Sequence, residues 1–137
     1  MPSVQHVFTL SDTFVQLDGK HAARLWDADA AQRGEHGANG EDDILIGVLA
    51  MDGTWPVWER HCAGDEIVTL VSGRLDFVVE FADGEKTVSL RTGESCVVPQ
   101  GAWHRAVVHE PSRALHITPM GRTEHRRWEG ADGEGQE

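Results

Sequence analysis

The stretch Ile67-Val68-Thr69-Leu70-Val71-Ser72-Gly73-Arg74-Leu75-Asp76-Phe77-Val78-Val79-Glu80-Phe81-Ala82-Asp83-Gly84 decides the fold class. Ile67–Ser72 reads as one strand that stops at Gly73, and Leu75–Phe81 as a second that runs into Asp83-Gly84. Both turn residues tolerate positive φ, which makes the dipeptide a strong hairpin signal. Downstream, Thr87–Arg91 ends at Thr92-Gly93 and Ser95–Val98 ends at Pro99-Gln100-Gly101. Ala106–His109 and Ala114–Thr118 follow, split by Pro111, while Phe14–Leu17 and Ile44–Met51 lie upstream. Turn signals roughly every ten residues predict an all-β sandwich or barrel rather than a βαβ chain. One short, Ala-rich helix is predicted over Ala22–Ala31. No internal repeat and no helix-turn-helix unit is visible, which counts against a DNA-binding regulator.

A length of 137 residues suits one domain with one core. The longest apolar run, Ile44–Met51, is strand-sized and far short of the ~18 residues of a membrane helix. Met1-Pro2-Ser3-Val4-Gln5-His6 lacks the basic and apolar regions of a secretory signal. Cys62 and Cys96 are too few for a disulfide framework, and reduced thiols in the cytoplasm are expected. The net charge of −11 argues against nonspecific nucleic-acid binding, which needs Lys and Arg to neutralise phosphates. Most of that charge is local. Residues 27–43 hold six acidic side chains against Arg33 alone, and residues 129–137 hold four with no base. Both segments are Gly-rich and read as a loop and a flexible tail that favour solubility.

Two clusters carry chemistry. In Glu59-Arg60-His61-Cys62-Ala63-Gly64-Asp65-Glu66, residues two apart on an extended segment share a face, so Glu59 and His61 project together. Gly64 allows the turn that returns Glu66 to that side. The second cluster is His104, aimed by the turn Pro99-Gln100-Gly101 just before Ala102-Trp103. Two imidazoles and two carboxylates converging inside a barrel make a site for a hard-to-borderline divalent metal: Fe, Mn, Zn, Ni or Co. His61, His104 and Glu66 alone would form a two-His-one-carboxylate triad. Alternation puts Cys62 away from the site, and Cys96 reads as core. Trp103 and His116 are candidate pocket residues, while Trp55 and Trp58 are expected in the core or at a subunit contact. His6, His21, His36, His109 and His125 read as surface.

On these residues the sequence resembles the cupin family. The first family motif, G-x5-H-x-H-x(3,4)-E-x6-G, falls on Gly53, Glu59, His61, Glu66 and Gly73. The second, G-x5-P-x-G-x2-H-x3-N, falls on Gly93, Pro99, Gly101 and His104. The 19 residues between them, Arg74–Thr92, are short, as in small single-domain bacterial cupins. Glu59 stands where the family has its first histidine, and Val108 replaces the terminal asparagine. The resemblance implies a double-stranded β-helix, the jelly-roll barrel, with a metal near its axis held by Glu59, His61, Glu66 and His104.

The expected organisation is an N-terminal extension over residues 1–43, with strands and the acidic loop packed on a barrel spanning 44–128. An acidic tail follows over 129–137. The expected function is a metal-dependent enzyme (dioxygenase, isomerase or lyase) acting on a small polar molecule, with Glu59 as ligand or catalytic base. A non-catalytic sensor or carrier of a small ligand or metal, or a structural dimer with a vestigial site, are the alternatives. A small-molecule ligand and a homodimer are expected, the latter through Val4–Leu17, with no nucleic-acid or membrane partner.

Overall fold

Glu66 and Val79 are thirteen residues apart on one continuous strand, yet the Glu66 carboxylate lies 3.4 Å from His104 Nε2, and His104 is the residue paired with Val79. A straight strand would separate them by about 40 Å. The strand therefore wraps around the interior, and that wrapping closes the barrel.

The computed structural model describes residues 7–35 and 40–130. Its strands are β1 (Thr13–Leu17), β2 (Ala23–Asp27), β3 (Ile44–Met51), β4 (Val57–His61), β5 (Glu66–Phe81), β6 (Gly84–Leu90), β7 (Ser95–Val98), β8 (His104–Pro119) and β9 (Thr123–Arg127), with one helix, α1 (Ala28–Gln32). All ladders are antiparallel. The strand order is β2-β1-β3-β8-β4-β9, and β5 pairs with β8 while carrying β6 and β7. The all-β jelly-roll barrel expected from the sequence is the observed fold.

Gly73 and Pro111 do not end strands, contrary to the sequence reading; they bend them. Gly73 has φ +95°, and its register irregularity flips the inward parity of β5. Glu66, Val68 and Leu70 face in before it, and Leu75, Phe77 and Val79 after it. From the Leu70–Ala114 pair to the Leu75–Val108 pair, β5 advances an odd five residues against six on β8, and an odd step flips the face because side chains alternate with period two. A β-carbon on Gly73 would lie 2.3 Å from Ser112 Oγ and 2.6 Å from the Pro111 carbonyl, so only glycine permits the approach of β8. Ser112 Oγ closes the bend by accepting from Arg74 N at 3.0 Å and donating to Glu110 O at 2.8 Å. Pro111 falls in the skipped part of the register, where its missing N–H is not needed.

The core combines the β5 residues with Met51, Leu90, Ala106 and Ala114. The helix predicted over Ala22–Ala31 is a correction. Ala23–Asp27 is a strand paired along its length with β1, and only Ala28–Gln32 is helical, capped by Asp27 Oδ2 accepting from Ala30 N. Ladder pairing and the bond from Trp26 Nε1 to Gln16 Oε1 (2.9 Å) override the local preference of alanine. Ala28 and Ala31 pack on Phe14, whose ring lies directly over Gly47 of β3. Strand β9 was not foreseen. His6, His36 and residues 131–137 lie outside the described residues.

Candidate metal centre

Glu59 and His61 share the inward face of β4, as their spacing predicts, and Glu59 Oε1 lies 3.1 Å from His61 Nε2. Glu59 is also opposite His104 in the β4–β8 register, with Oε1 3.7 Å from His104 Nε2. Glu66 opens β5 and spreads its oxygens, Oε2 at 3.3 Å from His61 Nε2 and Oε1 at 3.4 Å from His104 Nε2. Four side chains from the two motifs thus meet in one place.

Backbone contacts between the motifs bring this about. Gly101, at φ +76°, donates its N–H to the His61 carbonyl at 2.9 Å. Gln100 N donates to Asp65 Oδ1 at 2.7 Å, and Gln100 Nε2 to the Cys62 carbonyl at 2.8 Å. The turn before His104 is therefore clamped onto the turn between His61 and Glu66. Asp65 has this role, and its identity alone did not reveal it.

Further side chains orient the cluster. Thr118 Oγ1 donates to Glu66 Oε2 at 2.6 Å, and Thr123 Oγ1 lies 3.0 Å from His61 Nδ1. His116 is buried, with Nδ1 3.6 Å from Glu66 Oε2. His125, expected as a plain surface residue, is exposed but donates from Nε2 to Glu59 Oε2 at 2.8 Å. Strand β9 supplies Thr123 and His125, and their alternation in Thr123-Glu124-His125 was the overlooked signal. Trp103 stacks under Arg60 and Arg126, at 4.6 and 4.8 Å, while the tryptophan lining the site is Trp55. Cys96 packs against the core, and burial pushes its thiol up to about 11, which suits an inert side chain.

The electrostatics of the bare cluster are those of interlocked ion pairs. Burial by itself would raise the Glu59 and Glu66 carboxyls. The neighbouring histidines outweigh it and hold both below the usual carboxylate range: His104 and His61 for Glu59, and His104, His116 and His61 for Glu66. Burial would likewise lower the two imidazoles, but Glu59 and Glu66 push His61 and His104 up to about 9.

A divalent cation fits this donor set. Among the described residues, buried His61 Nε2, His104 Nε2 and Glu66 Oε1 form no hydrogen bond, although each is within 3.4 Å of an opposite charge. Unsatisfied buried polar atoms cost about 1–3 kcal/mol each, and an ion among them would satisfy all three. His104 Nδ1 faces the Ala102 carbonyl at 3.2 Å. A carbonyl can only accept, so Nδ1 bears the proton and the neutral ring offers its Nε2 lone pair. Donor atoms of Glu59, His61 and His104 lie within 4.8 Å of one another. Nitrogen and carboxylate oxygen without thiolate select a hard-to-borderline ion.

Residues 48–118, more than half of the chain, match the Cupin domain. The chain belongs to the cupin family. Among curated proteins no sequence relative is found. Solved structures share the fold at low identity. The Bacillus subtilis oxalate decarboxylase studied for its Mn(II) centres is 18% identical with a TM-score of 0.51, and 61% of this chain covers 23% of that one. The Lactobacillus farciminis oxalate decarboxylase formate complex is 17% identical with a TM-score of 0.52, and 61% of this chain covers 26% of that one. Fe(II)-HppE is 16% identical with a TM-score of 0.47, over 55% of this chain and 42% of that one. This chain spans about a quarter of the oxalate decarboxylases it resembles.

Proposed function

We propose that the chain is a metal-dependent cupin enzyme, a dioxygenase, isomerase or lyase, acting on a small molecule. The ion is held by Glu59, His61, Glu66 and His104. The observation that carries this reading is the convergence of buried donor atoms on His61, His104 and Glu66 that form no hydrogen bond among the described residues. A bound divalent ion supplies Lewis-acid or O2-activating chemistry at such a site.

The protein's own residues do the rest. Ala102 and Thr123 fix the two imidazoles through Nδ1, and Thr118 fixes Glu66. Glu59 turns Oε1 to the site, while Oε2 is bonded to His125, whose side chain reaches solvent. The pair thus joins the cluster to bulk water. Mn(II), the ion of the Bacillus subtilis oxalate decarboxylase, is the first to try. The test is O2 consumption and product analysis on Mn(II)- and Fe(II)-loaded protein against a panel of small acids. Turnover that disappears with a chelator supports the reading, and metal uptake without turnover favours a carrier.

The homodimer belongs to the same proposal. Val7 is 99% exposed and Phe8 is 40% exposed, an apolar pair at the start of the described chain that a second copy would cover. Sedimentation at tens of micromolar giving a 15 kDa species would reject it.

A further inference from the structure

The metal cluster opens on one side into a cavity of about 260 Å³. Its walls are of two kinds. Phe14, Leu45, Leu49 and Trp55 form an apolar side, and Glu59, His61 and Glu66 with His116 form the polar side. His116 is 5% exposed, and among the described residues its Nε2 has no hydrogen-bond partner. A neighbouring cleft of about 540 Å³ shares Gln32, Leu45, Glu59 and Thr118 with this cavity. The N-terminal segment, which lies outside the family motifs, therefore has a role: β1 brings Phe14 and α1 brings Gln32 to the cavity wall.

Charge limits what this space accepts. Glu59 and Glu66 together balance a divalent ion, and among the described residues lining the cavity there is no Lys or Arg. One negative charge on the ligand already makes the neutral centre net negative, and a second would add to it with no Lys or Arg in the described lining to offset it, which costs several kcal/mol for a desolvated anion. Size limits it too. A cavity of about 150 Å³ suffices for benzene, and drug-sized ligands take roughly 300 Å³ and upward.

We propose that the cavity takes a small molecule with one metal-chelating oxygen head, at most one negative charge, and a compact apolar body such as a phenyl ring or branched alkyl group. The body lies against Phe14, Leu45, Leu49 and Trp55. His116 Nε2 hydrogen-bonds a polar atom of the head. This inference rests on the metal reading above and narrows the expected small polar molecule to one that is polar at one end only.

Three 2-hydroxy acids with the same chelating head separate the possibilities: glycolate, mandelate with a phenyl group, and tartronate with a second carboxylate. Mn²⁺ uptake is measured first by electron paramagnetic resonance, and each acid is then titrated into the Mn²⁺-loaded full chain by calorimetry. Mandelate should bind about tenfold or more tighter than glycolate, because a ring leaves water, and tartronate more weakly than mandelate. Leu49→Ala should shrink the mandelate-to-glycolate ratio several-fold, and His116→Leu should weaken all three acids while His116→Gln restores part of the loss. Mn²⁺ uptake is followed in each variant, so a lost ion is not read as a lost cavity contact. If Mn²⁺ binds and mandelate shows no advantage over glycolate or tartronate, this inference is overturned and the metal site stands. If no Mn²⁺ binds, the metal reading falls and takes the inference with it.

Discussion

Glu59 and His125 are opposed across the β4–β9 ladder, and His125 Nε2 donates to Glu59 Oε2 at 2.8 Å. The bond leaves Oε1 to face His61 and His104. The residue that departs from the family's histidine is thus oriented by a partner on a strand outside both family motifs.

Removing that partner should loosen the carboxylate without emptying the site. His125→Ala is expected to weaken metal affinity about tenfold, the usual effect of losing an orienting contact, and His125→Gln should recover part of it through its amide N–H. Glu59→Gln removes a charge from the cluster and should cut metal occupancy more than His125→Ala does. Calorimetric titration with Mn²⁺ ranks the three variants. Equal affinity in Glu59→Gln and wild type would show that Glu59 is not a ligand.

Metal binding should release protons. His61 and His104 are pushed up to about 9, so near pH 7 both carry a proton that a metal must displace. Affinity should therefore fall as pH drops below 9, by up to about a hundredfold per pH unit while two protons are exchanged. Calorimetry in buffers of different ionisation enthalpy counts the protons, with close to two expected at pH 7. A count near zero would contradict the ion-pair description of the bare cluster.

Stability of the metal-free protein should depend on pH in two windows. The raised imidazoles contribute stability that is full below their unfolded value near 6.5 and is lost as pH climbs through about 9. The lowered Glu59 and Glu66 contribute stability present above about 4.5, lost as acid protonates them. The melting temperature of the chelator-treated protein should peak between roughly pH 4.5 and 6.5 and decline on both sides. A Tm that keeps rising to pH 9 would contradict the assignment.

Gly47 is needed for the N-terminal strand to reach the cavity. A β-carbon there would lie 2.3 Å from Phe14 Cδ1, and Phe14 is fully buried. Gly47→Ala should displace the ring at a cost of roughly 1–3 kcal/mol, or a fall in Tm of roughly 3–10 °C. Thermal melts of the two proteins check this, and an unchanged Tm would mean that Phe14 shifts freely.

What was legible in the sequence was whatever period two and motif spacing encode. Ile44–Met51 and Ser95–Val98 stand where they were predicted, and Glu59, His61, Glu66 and His104 converge. Gly73 and Pro111 misled because turn residues mark a bulge as readily as a strand end, and only the partner strand reveals which. Ala23–Asp27 became a strand because hairpin pairing with β1 outweighs the few tenths of a kcal/mol in alanine's helix preference. His125, Thr118 and Thr123 lie outside the motifs, and their roles depend on which strands become neighbours. Trp55 lines the cavity, whereas Trp103 stacks under Arg60 and Arg126.

The most direct test of the metal centre is the divalent-metal content of wild type and His104→Ala, measured by elemental analysis after loading with Mn²⁺ and desalting. His104 is fully buried at the start of β8 and directs its Nε2 at Glu59 and Glu66 of the cluster. The account predicts one ion per chain in the wild type and a severe loss in the variant, with circular dichroism showing the same β-sheet signature in both. Equal metal in the two proteins, or none in the wild type, would contradict it.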